Sequence, residues 1–170
     1  MELIAAADLS PVLRSLLLDR GSLTRRLMAL SSAGFHVRVD NMRWSMPRIA
    51  EALATRESWR RLALVREVTL MDGDRPMVYA RSIIPRTVLV GRYRRLANLG
   101  QRPLGELLFS DPGVRRGDTH LLRLSPNAPL YAAAEARTPI RLPELWGRYT
   151  LFYIHKRPLL VTEIFLDKFE

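Results

Sequence analysis

The segment Arg157–Leu166, close to the C-terminal end, constrains the fold most because it is apolar at both alternating positions. In an extended strand, one face carries Leu159, Val161, Glu163 and Phe165, and the other face is apolar apart from one threonine. A strand that is apolar on both faces is buried within a sheet. A carboxylate buried there needs a cation or a hydrogen-bond donor, so Glu163 is either half of a structural ion pair or part of a ligand site.

Five further segments have the alternation or the apolar character of strands. We predict strands at Phe35–Val39, Trp59–Leu70, Pro76–Ile84, Thr119–Leu124 and Trp146–Ile154, with Leu159–Leu166 as the sixth. Turns at Met71–Asp74 and at Lys156–Pro158 are predicted to join two pairs of these strands as hairpins. Because strands and helices do not alternate as βαβ units, the pattern predicts an antiparallel sheet of the α+β class in a single domain, residues 1–170.

Short helices are predicted between the strands, and their starts carry the usual signals. Ser10 and Ser22 are placed as N-caps of the first two. The predicted helices are Val12–Leu18, Leu23 to about Gly34, Arg48–Thr55, Arg92–Leu99 and one that begins at Leu104. The stretch Ser125–Pro143 has no clear period, and we expect a long loop with one helical turn between Tyr131 and Arg137.

Composition limits the class of protein and leaves its partner open. The chain has 170 residues, 48% of them hydrophobic, which favours one globular domain. Its acidic N-terminus does not resemble a signal peptide, and no apolar run reaches a membrane-spanning length, so we expect a cytoplasmic protein without stable membrane insertion. The net charge is +10. A positive field of this kind suits nucleic acid or a small anionic substrate equally well.

Several kinds of chemistry have no support in the sequence. There is no cysteine, and His36, His120 and His155 are too far apart to form a paired metal-ligand motif. No carboxylate cluster has the spacing of a metal site, and no glycine-rich phosphate loop is present. If the chain is an enzyme, we expect it to act without metal or organic cofactor, through positioning and electrostatics.

Two charged residues interrupt apolar strand faces, Arg66 in the second predicted strand and Glu163 in the sixth. A guanidinium can bind a carboxylate through two parallel hydrogen bonds, and a carboxylate in an apolar pocket can accept a hydrogen bond or hold a proton. Together they predict a ligand cavity with one charge at each end; the alternative is that they pair with each other. Leu23 and Leu104 lie in the first turns of predicted helices, where backbone N–H groups can bind an anion or a hydroxyl.

Six parts of the sequence, which span nearly the whole chain, resemble the chorismate pyruvate-lyase family and occur in the family's order. They are Leu16–Arg26, Leu64–Val68 with the turn at Asp72–Gly73, Ala80–Pro85, Leu99–Phe109, Leu145–Arg148 and Arg157–Leu166. The resemblance implies a six-stranded antiparallel sheet with helices over an internal site. It also implies conversion of chorismate to 4-hydroxybenzoate and pyruvate for ubiquinone synthesis, without a cofactor, and we expect a monomer that binds a small molecule and no nucleic acid.

The same resemblance assigns roles to single residues. By motif, Arg66 matches the family's arginine for the ring carboxylate, and Glu163 matches the residue at the ring hydroxyl. Leu23 and Leu104 match positions whose backbone lines the product site, although the family usually has methionine where Leu23 stands. Arg81, on the strand paired with that of Arg66, is our candidate for the pyruvyl carboxylate. The Ser125–Pro143 connection is longer than the family pattern.

Two other functions remain open at this point. The effector-binding domains of GntR-type transcription regulators share this fold and bind small molecules without converting them. They normally follow a helix-turn-helix domain, for which the two helices predicted before Phe35 leave no room. A basic nucleic-acid binder is the third possibility, and it would show salt-dependent binding.

Overall fold

The computed structural model describes residues 9–170, so the acidic N-terminal residues of the sequence lie outside the described part. The α-helices are α1 (Pro11–Leu18), α2 (Leu23–Leu30), α3 (Ile49–Ala54), α4 (Leu104–Ser110) and α5 (Pro129–Glu135), with a 3-10 helix at Gly91–Asn98. The strands are β1 (Phe35–Ser45), β2 (Ala63–Asp72), β3 (Arg75–Pro85), β4 (Val114–Leu124), β5 (Leu145–Ile154) and β6 (Arg157–Phe165). The predicted turn within Ser125–Pro143 is present as α5.

All six strands form one antiparallel sheet in the order β1-β2-β3-β6-β5-β4. The predicted fold class and strand number are therefore confirmed. Strands β3 and β6 lie at the centre, where each face of the sheet is covered, and β6 is the segment that is apolar on both faces. Its central place follows from that composition, because only a strand between two neighbours and under two layers can bury both of its faces.

The turn between β5 and β6 lies earlier than the sequence pattern predicted. His155 and Lys156 have positive φ angles of 49° and 64° and form a two-residue turn, with Ile154 paired to Arg157. A two-residue turn of this handedness matches the twist of a hairpin, even though neither residue is glycine. The predicted turn at Lys156–Pro158 is therefore wrong, and the correction changes which residues of β5 lie opposite β6.

The start of β2 was also predicted too early. Trp59 and Leu62 are 48% and 45% exposed and precede the strand, which begins at Ala63. A turn in which the Arg61 amide donates to the Ser58 carbonyl at 2.9 Å occupies this stretch. The alternation of apolar residues continued into a segment that the turn keeps out of the sheet.

One face of the sheet, which we call the site face, carries two apolar clusters separated by a polar belt. The first cluster packs α1 and α2 on the sheet and includes Leu16, Leu27 and Phe165. The second packs the 3-10 helix and α4 on the sheet and includes Leu96 and Leu159. The belt between them consists of polar and charged side chains with one valine, and its members are Arg66, Ser82, Arg148, Thr150, Val161 and Glu163.

The opposite face carries a separate polar network under α3 and α5. Arg81 donates to Glu51 at 2.6 and 3.1 Å and lies 3.2 Å from Glu67. Tyr79 donates a hydrogen bond to Glu67, and Asn41 donates to it at 3.1 Å. Burial raises the pKa of Glu67, but these two hydrogen bonds and the nearby arginines outweigh it, so that the pKa is lowered overall. This network is internally paired and holds α3 on the sheet.

Gly147 allows β5 to approach β6 next to the polar belt. A Cβ atom at this position would lie 2.6 Å from the backbone oxygen of Glu163, closer than real Cβ atoms approach. The neighbouring strand cannot yield without moving its hydrogen bonds. The absence of a side chain at Gly147 therefore sets the register and spacing of the pair.

We predict that Gly147→Ala lowers the free energy of unfolding by about 1–3 kcal/mol, because it overpacks the strand pair. Thermal or urea unfolding measures the effect. Gly105→Ala is the control, since its Cβ would meet only the Thr24 and Ser22 hydroxyls, at 3.4 and 3.9 Å, and its helical position favours alanine. Equal stability of the two variants would contradict the packing argument.

Candidate active site

Arg66 is a buried cation whose charge has no ionic partner among residues 9–170. It is 2% exposed, and one terminal nitrogen donates to the carbonyls of Gly100 at 3.1 Å and Arg102 at 3.0 Å. Its Nε is buried without a hydrogen-bond partner. Burial lowers the pKa of Arg66 to about 10, so the group is still charged at neutral pH. A guanidinium in this condition is suited to an anionic ligand.

Glu163 lies on the same face and is held by Arg148 of β5. The Nε of Arg148 donates to Glu163 Oε2 at 2.7 Å, and the two side chains are 2% and 17% exposed. The second carboxylate oxygen, Oε1, has no hydrogen bond to a described residue. The carboxylate is thus oriented through one oxygen while the other can accept a hydrogen bond from a ligand hydroxyl.

Arg148 also binds the end of α1. Its Nη1 donates to the carbonyls of Leu16 at 2.8 Å, Asp19 at 2.6 Å and Leu17 at 3.4 Å. The last carbonyls of a helix have no intrahelical partner, and a buried arginine satisfies them. One side chain therefore connects the helical cover to Glu163.

The sequence interpretation assigned no role to Arg148, although a correct turn would have revealed the contact. With His155 and Lys156 as the turn, β5 and β6 pair so that Arg148 lies directly opposite Glu163. With the turn predicted at Lys156–Pro158, the register shifts and the pair is lost. The signal was present in the sequence, and the wrong turn concealed it.

Arg66 and Glu163 lie on one face but do not pair with each other. Arg66 is opposite Ser82 of β3, and Glu163 is opposite Ala80 of the same strand. Two strand spacings and a two-residue offset put their Cα atoms about 12 Å apart, from about 4.8 Å per strand and 3.3 Å per residue. At this separation the two charged groups stand at different points of the site face, and Glu163 pairs with Arg148 instead.

Leu23 and Leu104 are the first residues of α2 and α4, and both are buried. The two helix starts are adjacent, since a Cβ atom at Gly105 would lie 3.4 Å from the Thr24 hydroxyl oxygen. Ser22 caps α2 by accepting from the Arg25 amide at 3.4 Å, which leaves the earlier amides of that helix without an intrahelical acceptor. The Arg66 contacts to Gly100 and Arg102 hold the segment that leads into α4.

The candidate role of Arg81 at the pyruvyl carboxylate is inconsistent with the structure. Arg81 pairs with Glu67 across β2 and β3, one residue away from the Arg66 and Ser82 pair. Because side chains alternate across a sheet, Arg81 points to the opposite face, where Glu51 and Glu67 hold it. The sheet itself separates Arg81 from Glu163, so the predicted role of Arg81 in the site is wrong.

No group of three or more metal-binding side chains occurs within residues 9–170. His120 stacks on Tyr149, with ring centroids 4.8 Å apart, and His155 belongs to the β5–β6 turn. In the part of the chain that the structure describes, no helix has the length and apolar character needed to span a membrane.

Solved structures with a similar fold include effector domains of transcription regulators. The effector domain of PhnF from Mycobacterium smegmatis has a TM-score of 0.62 at 15% identity, covering 87% of this chain and 90% of that one. The ligand-binding domain of a GntR-family regulator from Bordetella bronchiseptica has a TM-score of 0.55 at 19% identity, covering 80% and 85%. At these identities the likeness shows the fold alone.

The sequence comparisons are more specific. A relative from Methylococcus capsulatus, named a probable chorismate pyruvate-lyase, is 44% identical and covers 91% of this chain and 94% of its own. A relative of the same name from Pseudomonas aeruginosa is 38% identical, covering 95% and 87%. The family model described as chorismate lyase matches residues 4–169. The chain therefore belongs to the chorismate lyase family.

Proposed function

We propose that this protein is an enzyme, a chorismate pyruvate-lyase that converts chorismate to 4-hydroxybenzoate and pyruvate as the first committed step of ubiquinone biosynthesis. The observation that carries the proposal is Arg66, a buried guanidinium with no ionic partner among the described residues, on the same face as an oriented carboxylate. Family membership supports the reaction.

The substrate has groups that complement the site. Chorismate carries a ring carboxylate, a ring hydroxyl and an enolpyruvyl ether with a second carboxylate. We assign the ring carboxylate to Arg66 and the hydroxyl to the free oxygen of Glu163. The backbone N–H groups at Leu23 and Leu104 line the space between them. These contacts fix the ring so that its hydroxyl-bearing carbon and its ether bond are held in one orientation.

The reaction needs no external reactant. The bond between the ring carbon and the ether oxygen breaks, and the hydroxyl-bearing carbon loses its hydrogen as a proton. The ring becomes aromatic, and the released enolpyruvate takes up a proton to become pyruvate. Atoms and electrons balance without water or a redox partner, so we propose a cofactor-independent enzyme. Glu163 stands at the hydroxyl end, where a carboxylate can act as general base or acid.

A non-catalytic binding domain of the GntR effector type is the alternative, and only the fold likeness favours it. Such a domain would bind an aromatic acid and leave chorismate unchanged. We further propose a cytoplasmic, monomeric protein, residues 1–170 as one domain, that binds no nucleic acid. Sedimentation measures whether the protein is a monomer. A salt titration of DNA or RNA binding tests whether it binds nucleic acid.

The first prediction is that purified protein converts chorismate to 4-hydroxybenzoate and pyruvate in equal amounts. Arg66→Ala and Glu163→Gln should each lower kcat/KM more than about tenfold, since a hydrogen bond to a charged group contributes about 1.5–3 kcal/mol. The exposed Glu106→Gln is the matched control. Near-normal turnover by both site variants would reject these assignments, and binding without turnover by the parent protein would favour the regulator-type alternative.

The second prediction concerns Arg148 as a positioning residue. Arg148→Met should lower kcat about tenfold or more and change KM little, because the lost interaction orients Glu163 rather than the ring carboxylate. Arg148→Lys should recover part of kcat, since it retains a charge but not the planar donors. A variant with a lower melting temperature and normal kcat would assign Arg148 to stability alone.

The third prediction is that product release limits turnover. The site lies beneath α1, α2 and α4, so 4-hydroxybenzoate leaves only when this cover moves. Rapid mixing of enzyme with excess chorismate should give a burst of 4-hydroxybenzoate of about one equivalent before the steady state. A linear onset would show that chemistry or an earlier step is slower.

A further inference from the structure

A dianionic substrate needs a second cationic contact, and the withdrawal of Arg81 leaves that contact unassigned. The enolpyruvyl group carries its own carboxylate, several bonds away from the ring carboxylate. A site that buries both without a second cation would leave one charge desolvated and unpaired. Arg148 already directs its Nε to Glu163 and its Nη1 to three carbonyls. These contacts use two of the three nitrogens of Arg148, so we consider a further arginine on another element of the site face.

Arg116 of β4 lies on the site face at the end of the polar belt. It pairs with Phe152, a member of the apolar cluster beneath α4, and its guanidinium lies over the ring of Phe109 with 5.6 Å to the centroid. One terminal nitrogen donates to the Thr119 hydroxyl at 2.9 Å, which in turn bonds the Thr150 hydroxyl at 2.9 Å. Arg116 thus continues the belt toward the edge of the sheet.

The contacts of Arg116 leave it able to accept an anion. Its terminal nitrogens reach the backbone carbonyls of Asp19 and Arg20 in the α1–α2 connection. No described carboxylate pairs with it, and its Nε is buried without a hydrogen-bond partner. Burial lowers the pKa of Arg116, and the positive charge of Arg148 adds to this, while Glu163 opposes it. An anion placed beside Arg116 would offset both the free-energy cost of burying its charge and its repulsion from Arg148.

The charges of the belt match a dianion. Arg66, Arg116 and Arg148 contribute three positive charges, and Glu163 contributes one negative charge, so two positive charges are in excess. Asp19 also acts on the charge of Arg116, but it is paired with Arg26 at 3.0 Å, so this pair adds no net charge. Two excess positive charges at separate points suit a ligand with two carboxylates better than a ligand with one.

The spacing also suits the substrate. Arg66 and Thr119 lie in one row across β2, β3, β6, β5 and β4, and Arg116 reaches the Thr119 side chain. Four strand spacings of about 4.8 Å give about 19 Å between the ends of the row. Arg66 and Arg116 therefore lie toward opposite ends of this row, as two separate carboxylate contacts require.

A cleft opens directly beside Arg116. It has a volume of about 890 Å³ and lies between the α1–α2 connection and the irregular part of β4, where the pairing shifts between Arg116 and Thr119. Its wall carries the cations Arg20 and Arg115 together with the carboxylates of Asp19 and Asp118. Arg116 therefore stands between the buried belt and a cleft large enough for a three-carbon acid to occupy or leave through.

We propose that Arg116 binds the carboxylate of the enolpyruvyl group, and that the adjoining cleft receives this group as the ether bond breaks. The proposal rests on the proposed lyase function and adds the second carboxylate subsite to it. The ring carboxylate stays on Arg66, and the pyruvyl product is released on the β4 side.

The test compares chorismate, which has the enolpyruvyl group, with 4-hydroxybenzoate, which lacks it. Arg116→Gln should lower kcat/KM for chorismate about tenfold or more, because it removes a charge-assisted contact. It should leave the Kd of 4-hydroxybenzoate within about twofold of the parent value, since differences of this size lie below the free energy of one such contact. Arg116→Lys should give an intermediate kcat/KM.

Two controls separate this role from others. Arg123→Gln removes one charge from the same strand, where Arg123 is exposed and paired with Glu144. It should change neither kcat/KM for chorismate nor the Kd of 4-hydroxybenzoate. Arg66→Ala should weaken the binding of both chorismate and 4-hydroxybenzoate. Equal losses for both ligands in Arg116→Gln would show that Arg116 supports the α1–α2 connection and would overturn the proposal, as would an unchanged kcat/KM.

A binding measurement distinguishes failure of the subsite from failure of the lyase function. In a Glu163→Gln background, chorismate should bind about tenfold more weakly when Arg116→Gln is added, measured by calorimetry. If the parent protein binds chorismate in this Arg116-dependent way without converting it, the lyase function fails and the subsite stands. If chorismate turns over normally but binds independently of Arg116, the subsite fails and the lyase function stands.

Discussion

The site depends most on the burial of one charged group, the Arg66 guanidinium, which has no carboxylate partner among residues 9–170. Arg66 is held by two backbone carbonyls, which accept hydrogen bonds but supply no net negative charge. An anion beside it would compensate the remaining cost of burying its charge. The opposite face of the same sheet shows the contrast, because Arg81 there has Glu51 and Glu67 as permanent partners. Arg81 on the opposite face is therefore neutralised within the protein, whereas Arg66 on the site face is not neutralised by any residue among 9–170.

The fold could be predicted from local pattern because its strands are joined mostly by short turns. Alternation, Gly73 and the two serine caps located six strands and the main helices. Turn placement was harder, since the β5–β6 turn uses His155 and Lys156 at positive φ, where glycine or asparagine is the usual signal. The resulting register error concealed the ion pair between Arg148 and Glu163.

The site residues differed in how far the sequence could place them. Arg66 and Glu163 stood out because each interrupts an apolar strand face, and both lie on the site face. Arg81 was assigned without checking which face of the sheet it lies on. In the β2–β3 hairpin Arg66 is opposite Ser82, so Arg81, the neighbour of Ser82, must point to the other face. Arg116 gave no signal, because the irregular pairing between Arg116 and Thr119 breaks the alternation on which such an argument depends.

Arg148 connects the position of helix α1 to the orientation of the Glu163 carboxylate. The same guanidinium that orients Glu163 also binds the carbonyls at the end of α1, so lifting that helix withdraws the donor from the carboxylate. If α1 moves to admit or release a ligand, the Glu163 carboxylate would lose this donor and be free to rotate. Under the proposed function, Glu163 would then be oriented for reaction only while α1 covers the site.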